Sequence, residues 1–328
     1  MEFAPERYDK MIYRRAGNSG LMLPAISLGA YETFGTYISE EESRKCFYKA
    51  FDLGITHFDL ANNYGNPPGN AETVVGKIIK DMPRDELIIS TKAGWRMWPG
   101  PYGEWLSKKY LVASLDQSLK RLGLDYVDVY YAHRPDPDTP LEETMEALDL
   151  IVKQGKALYV GVSSFSGAHF ERAYEVTRMK GLAPITLHQP AYNMLYRDIE
   201  WDLLDHTESR GTGVIVFAPL AQGLLTGKYL HGVSEDSRAH KVWGKATNSN
   251  LTSEETRAKL LALNEIAKAR GQSLTQLAIA WLLRKPQITS VLIGASRVSQ
   301  IEENVGALDN ISFTEDELKD IDRITLSK

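Results

Sequence analysis

Cysteine is nearly absent: Cys46 is the only one in 328 residues, so no internal disulfide can form and a disulfide-stapled secreted scaffold is excluded. It lies in an amphipathic helical stretch, where a buried core thiol is expected. No stretch approaches the roughly 18 consecutive apolar residues that a membrane helix needs. The opening residues mix Glu2, Glu6 and Arg7 and lack the apolar segment of a secretory signal. A cytoplasmic protein with no membrane partner is expected. Charge of one sign is also scarce, since 38 Lys and Arg face 43 Asp and Glu, a net −5 at pH 7. That balance offers no broad attraction to nucleic acid. No G-x-G-x-x-G opens a helix after a strand-like run and no Walker-type glycine loop occurs, so a Rossmann reading has no support. No metal site is expected, and no composition break marks a linker, so residues 1–328 are expected to form one domain.

What is present is ordinary globular composition, 43% hydrophobic and 25% charged, with a strong alternation of two periods. Apolar, β-branched runs recur at 25–28, 56–60, 87–91, 127–131, 157–162, 185–188, 214–217 and 290–293. Helix-period segments lie between them at 41–53, 71–80, 108–122, 141–153, 169–180, 199–210 and 274–284, several closed by a glycine stop such as Leu122-Gly123. Eight strand and helix repeats predict a closed (α/β)8 TIM barrel. The turn-rich stretch 13–24 predicts a hairpin that plugs the barrel floor. Two connections are long: 94–107, dense in Trp95, Trp98, Tyr102 and Trp105, and the segment from Ala218 to an extra helix at 254–270.

Four proton-handling side chains fall where successive strands end: Asp59, Tyr64 in the next loop, Lys92 and His133. In such a barrel all these ends open on one face, which holds the active site. Ser90 and Lys92 share one strand face, as do Tyr131 and His133, because side chains alternate. A phenol titrates near 10, and an adjacent ammonium is expected to lower that value and prime Tyr64 as a proton donor, with Asp59 holding Lys92 and His133 orienting a carbonyl. A lysine at a strand end also suits a Schiff-base aldolase.

The motifs Asp59-Leu60-Ala61-Asn62-Asn63-Tyr64-Gly65, Ser90-Thr91-Lys92 and Ala132-His133-Arg134-Pro135-Asp136 resemble the aldo-keto reductase family along nearly the whole chain. The resemblance implies that Asp59, Tyr64, Lys92 and His133 form a catalytic tetrad and that a nicotinamide cofactor binds. It assigns Ser163, Ser164 and Gln189 to the nicotinamide amide and Phe217 to ring stacking. Gly29, Ala30 and Tyr31 would also line the cofactor. The run Ala218, Pro219, Leu220, Ala221, Gly223 and Lys228, with Arg238, would follow the pyrophosphate. Gly294, Ser296, Arg297, Gln300, Glu303 and Asn304 would meet the adenosine phosphate and adenine, which points to NADPH, with NADH as a second donor because Ala295 stands where relatives often carry lysine.

Within the family the pattern resembles the branch of potassium-channel β subunits and bacterial L-glyceraldehyde 3-phosphate reductases. The loop Trp95-Arg96-Met97-Trp98-Pro99-Gly100-Pro101-Tyr102-Gly103 resembles the latter. Reduction of L-glyceraldehyde 3-phosphate and methylglyoxal is therefore expected, with Tyr31, Tyr64, Trp98 and His133 around the substrate, and methylglyoxal detoxification as a role. Arg96, Lys108, Lys109, Arg134 and Arg197 are the candidate phosphate cations. A regulatory subunit and a homo-oligomer, tetramer or larger, are further implications of the branch.

Overall fold

Short turns and buried apolar faces dictate how the chain begins. Strands β1 (Tyr13–Arg15) and β2 (Met22–Pro24) pair antiparallel, as the hairpin reading predicts. Gly17 sits at φ +53, and a Cβ there would lie 2.0 Å from the Gly211 carbonyl oxygen, so only glycine lets the turn approach this closely. The hairpin's Ala16, Leu21 and Leu23 share one buried cluster with Val129, Tyr131, Leu187, Ile215 and Leu292 of the barrel. It closes the end from which the strands start, where Asn18 N–H donates to Gly211 O at 2.9 Å.

A computed structural model describes residues 3–31, 33–230 and 253–326. The apolar runs form β3 (Ile26–Gly29), β4 (His57–Asp59), β5 (Ile88–Ala93), β6 (Val127–Ala132), β7 (Ala157–Ser163), β8 (Ile185–Gln189), β9 (Gly213–Val216) and β10 (Ile288–Ile293). Each pairs in parallel with its neighbour, and β10 closes the barrel by pairing with both β9 and β3. Helices α1 (Glu40–Asp52), α2 (Asn70–Ile79), α3 (Lys108–Leu122), α4 (Leu141–Lys153) and α5 (Gly167–Lys180) follow the expected segments. Ser39, Ser107 and Ser166 cap α1, α3 and α5 by accepting a backbone N–H of the first turn. Gly123 and Gly181 end α3 and α5 in the left-handed conformation.

Two expectations differ from what forms. The segment expected as one helix at 199–210 is two, α6 (Ile199–Asp202) and α7 (Leu204–Ser209), separated at Leu203, with neither proline nor glycine there to announce the break. After α8 (Glu254–Ala269), α9 (Leu274–Leu283) and α10 (Val298–Val305), a helix outside the sequence reading, α11 (Glu315–Leu326), ends the described chain.

The residues group into two compact units. One comprises Met1–Ala191, Asp198–Phe217 and Gln287–Glu302 and contains the hairpin and the barrel; the other comprises Tyr192–Arg197, Ala218–Pro286 and Glu303–Lys328. Among the described residues no helix is long and apolar enough to cross a membrane.

Candidate active site

Strand register brings the first pair together. Asp59 at the end of β4 pairs across with Ser90 of β5, and Lys92, two residues on, projects from the same face of β5. Lys92 Nζ donates to Asp59 Oδ2 and, at 2.6 Å, to the Leu60 carbonyl. Both side chains are buried. Asp59 Oδ1 accepts from Ser90 Oγ at 2.6 Å and from Gln189 Nε2 at 3.2 Å. Burial holds the Lys92 ammonium below the usual lysine range, against the pull of Asp59 and Glu72.

Tyr64 and His133 complete the cluster. The Lys92 ammonium lies 5.2 Å from the centroid of the Tyr64 ring, and the His133 ring stands edge-on to the same phenol at 5.9 Å. Burial pushes the Tyr64 phenol well above its ordinary range, and Asp59 and Tyr31 add to the shift. The expected lowering by Lys92 is therefore not what the site does, because desolvation dominates and the Asp59 carboxylate beside the ammonium pushes the phenol the same way. His133 is held well below the usual imidazole range by burial, then by Lys92 and Arg134, so its ring is neutral at pH 7. Its Nδ1 is buried without a hydrogen-bond partner among the described residues.

Aromatic side chains frame this cluster. Tyr31, exposed, stands edge-on to Tyr64 at 5.0 Å, and Trp95 stands edge-on to His133 at 6.3 Å. Trp98 packs on Tyr110 at 5.1 Å. The Tyr110 hydroxyl donates to Trp95 O and accepts from Asn62 Nδ2 at 3.0 Å, which ties the long aromatic loop to the Asp59–Tyr64 segment. Arg134 lies between Trp95 and Trp105, 3.7 and 3.8 Å from their centroids, and pairs with Glu104 at 2.5 Å. The arginine thus clamps the loop instead of offering a free charge.

That finding narrows the candidate cations. Lys108 pairs with Glu146 at 3.3 Å, Lys109 lies 5.3 Å over the Tyr102 ring, and Arg197 pairs with Asp322 at 2.7 Å. Arg96 is exposed and makes no ion pair or hydrogen bond among the described residues.

The barrel unit also carries most of the residues nominated for a cofactor. Gly29 ends β3 opposite Asp59, and Ala30 N–H donates to Asp59 O at 2.9 Å. Ser163 Oγ donates to Gln189 O at 2.8 Å, while Ser164 is held at φ 59, a conformation rare outside glycine and concentrated at functional sites. Phe217, beyond β9, is half-buried. A Cβ on Gly294 would meet nothing within 4 Å. Ser296 donates through its N–H and its hydroxyl to Gln300 Oε1, at 2.8 and 3.1 Å, and Arg297 is exposed without an ion pair among the described residues. Gln189 and Ser296 are therefore already engaged, yet the Gln189 amide oxygen, the Ser164 hydroxyl and Arg297 are the donor and acceptor types that a carboxamide and a phosphate require.

In the other unit, Ala218, Ala221 and Gln222 have φ of 55, 46 and 58, strained for residues other than glycine, in the segment holding Pro219, Leu220, Gly223 and the exposed Lys228. Glu303 accepts from Ser273 Oγ at 3.0 Å and Asn304 is buried. Arg238 lies outside the described residues.

Sequence reasoning gave no role to Ser90, Asn62 or Tyr110, although Ser90 and Asn62 lie within the quoted motifs. Only Ser90 carried a signal, the shared strand face with Lys92.

A closed parallel barrel whose ionisable side chains gather at the carboxyl ends of its strands is the architecture of a barrel enzyme. The model for the Aldo/keto reductase family matches residues 25–325, and the chain belongs to that family and is an oxidoreductase. It is 54% identical over 325 residues to the L-glyceraldehyde 3-phosphate reductase of Escherichia coli (strain K12), covering 97% of this chain and 94% of that one. It is also 41% identical over 324 residues to a putative voltage-gated potassium channel subunit beta of Schizosaccharomyces pombe, covering 95% and 92%. A probable channel subunit beta of Arabidopsis thaliana is 39% identical over 306 residues, covering 92% of each chain.

Proposed function

We propose that the chain is an NADPH-dependent reductase of small aldehydes, with L-glyceraldehyde 3-phosphate and methylglyoxal as substrates and Tyr64 as proton donor. The observation that carries this reading is the buried Lys92–Asp59 pair beneath the Tyr64 ring. A phenol pushed upward by burial keeps its proton at neutral pH and can give it to a carbonyl oxygen as negative charge develops there. The phenolate left behind is then stabilised by Lys92. Neutral His133 hydrogen-bonds the same oxygen and fixes the carbonyl beside Tyr64, while Tyr31 and Trp98 bound the substrate. The 54% identity to a named phosphotriose reductase supports the phosphorylated substrate.

NADPH, when bound, supplies the hydride. In the barrel unit Ser163, Ser164 and Gln189 would hold its carboxamide, Phe217 would stack on the ring, Gly29, Ala30 and Tyr31 would line it, and Gly294, Ser296, Arg297 and Gln300 would meet the 2′-phosphate. The family resemblance also nominates the Ala218–Lys228 segment, Glu303 and Asn304 of the other unit as cofactor residues. A cytoplasmic homo-oligomer acting in methylglyoxal detoxification completes the reading, its assembly readable by light scattering.

The test is steady-state oxidation of NADPH, and of NADH, against a panel of small aldehydes, repeated with Tyr64→Phe. Loss of the proton donor should lower kcat by about 10²–10⁴-fold while quenching of protein fluorescence by NADPH persists. The relatives named channel subunits favour a second reading, a cofactor-bound regulatory subunit, and turnover equal in wild type and Tyr64→Phe would favour it. The aldolase reading loses ground because Lys92 donates to both Asp59 and Leu60 and is fully buried.

A further inference from the structure

Barrel interiors are usually filled by branched apolar side chains, yet this one carries a polar layer just beneath the proposed site. Ser290 of β10, Ser27 of β3, His57 of β4 and Ser90 of β5 are all fully buried. Burying such groups is costly unless each is hydrogen-bonded, and each is. Ser290 Oγ and Ser27 Oγ are 2.6 Å apart, Ser27 Oγ and His57 Nδ1 2.8 Å, and His57 Nε2 and Ser90 Oγ 2.9 Å. Ser90 Oγ reaches Asp59 Oδ1 at 2.6 Å.

The chemistry of these groups gives the chain a direction. An ionised carboxylate only accepts, so Ser90 spends its single hydrogen on Asp59 and must accept from His57 Nε2–H. A neutral imidazole then offers Nδ1 as acceptor, Ser27 donates to it, and Ser27 in turn accepts from Ser290. Every bond points toward Asp59, the arrangement in which successive bonds polarise one another. The charged groups felt by His57 are Asp59 on its own strand and Lys92 on β5; β3 and β10 contribute the hydroxyls of Ser27 and Ser290. A protonated His57 would present hydrogens on both sides and reverse the bond to Ser27.

We propose that Ser290, Ser27, His57 and Ser90 form a one-way hydrogen-bond relay that fixes the Asp59 carboxylate in place and aims it at Lys92. Ser90 and His57 are then positioning residues, and this role rests on the reductase reading above. The relay has a readout that does not need turnover: ¹⁵N spectra of the full chain should show His57 as the neutral Nε2–H tautomer from pH 7 to 5, altered in both Ser90→Ala and Asp59→Asn. In the enzyme assay Ser90→Ala should lower kcat about tenfold at an unchanged aldehyde KM. Ser90→Thr, which restores the hydroxyl, should recover both kcat and the His57 tautomer. Ser27→Ala, one step further from Asp59, should disturb the tautomer with roughly a threefold loss of kcat and guards against a Ser90→Ala chain that does not fold. An Nδ1–H or protonated His57 at pH 7 overturns the relay, as does a Ser90→Ala enzyme whose kcat falls while the His57 tautomer is unchanged, or whose kcat Ser90→Thr does not restore. A wild-type protein that reduces no aldehyde yet shows the Nε2–H tautomer, lost in Asp59→Asn, would sink the reductase reading and leave the relay supported.

Discussion

Arg96 is the residue at which substrate choice can be tested without touching the proposed acid chemistry. Of the five cations suggested by position, Lys108, Arg134 and Arg197 are paired with carboxylates and Lys109 lies over an aromatic ring, so an incoming phosphate would have to break existing contacts to recruit them. Arg96 would cost only its hydration. A hydrogen bond to a charged group contributes about 1.5–3 kcal/mol when its partner is removed. Arg96→Ala should therefore raise KM for L-glyceraldehyde 3-phosphate at least about tenfold, while the value for methylglyoxal, which has no phosphate, stays within about twofold. Equal increases for both would remove Arg96 from the phosphate site. The positions of Asp59, Tyr64, Lys92 and His133 were legible in the sequence because strand ends and side-chain alternation are local properties. The sandwiching of Arg134 by Trp95 and Trp105 was not, since it depends on how a loop of fourteen residues, 94–107, folds back over the next strand.

Between elements, a buried polar tie near the site joins α2, α3 and β5. Glu72 of α2 is fully buried, accepts from Thr91 Oγ1 at 2.5 Å and pairs with Arg121 of α3 at 2.7 Å. Removing one partner of a buried pair strands the other charge and costs about 3–5 kcal/mol. Arg121 retains 21% side-chain exposure, which lets solvent screen part of that loss, so Arg121→Met should destabilise the chain by roughly 2–4 kcal/mol. Urea denaturation measures it, and adding Glu72→Gln to Arg121→Met should recover part of the loss; a double variant weaker than the single one would show that the carboxylate is not the stranded group. The same helices explain which elements the sequence announced. Helices α2 and α3 keep an apolar stripe at helical spacing, and the buried parallel strands read as short apolar runs. The break at Leu203 has no local marker, and α11 lies beyond the last strand, where the alternation of strand and helix no longer predicts what comes next.

Across the whole molecule, the histidines that the fold buries neutral set its response to acid. Burial pushes His57 down to about 4, with Lys92 lowering it further and Asp59 opposing, and pushes His188 down to about 3 against a hydrogen bond to the Phe165 carbonyl. In the unfolded chain both return to an ordinary value near 6.5. Between about 6.5 and 4 the unfolded chain therefore binds protons that the native one refuses, and stability rises with pH across that window. The contribution is fully present above 6.5 and is lost as pH falls toward the native values. Each group contributes up to about 1.4 kcal/mol per pH unit well inside the window, and with the half-protonated start at 6.5 the two together should remove roughly 3 kcal/mol between pH 6.5 and 5. Neither position could be singled out from the sequence, where His57 and His188 look like any of the seven histidines; His57 is buried on the inward face of β4 against Ser27 and Ser90, and His188 on the outward face of β8 against Phe165 and Phe170. Unfolding free energies in urea at pH 7, 6 and 5 test the account, and His188→Gln should reduce the slope by about one proton's worth. A stability unchanged from pH 7 to 5 would mean that these rings take up protons in the native state, and that the polar layer under the site is wetter than its geometry implies.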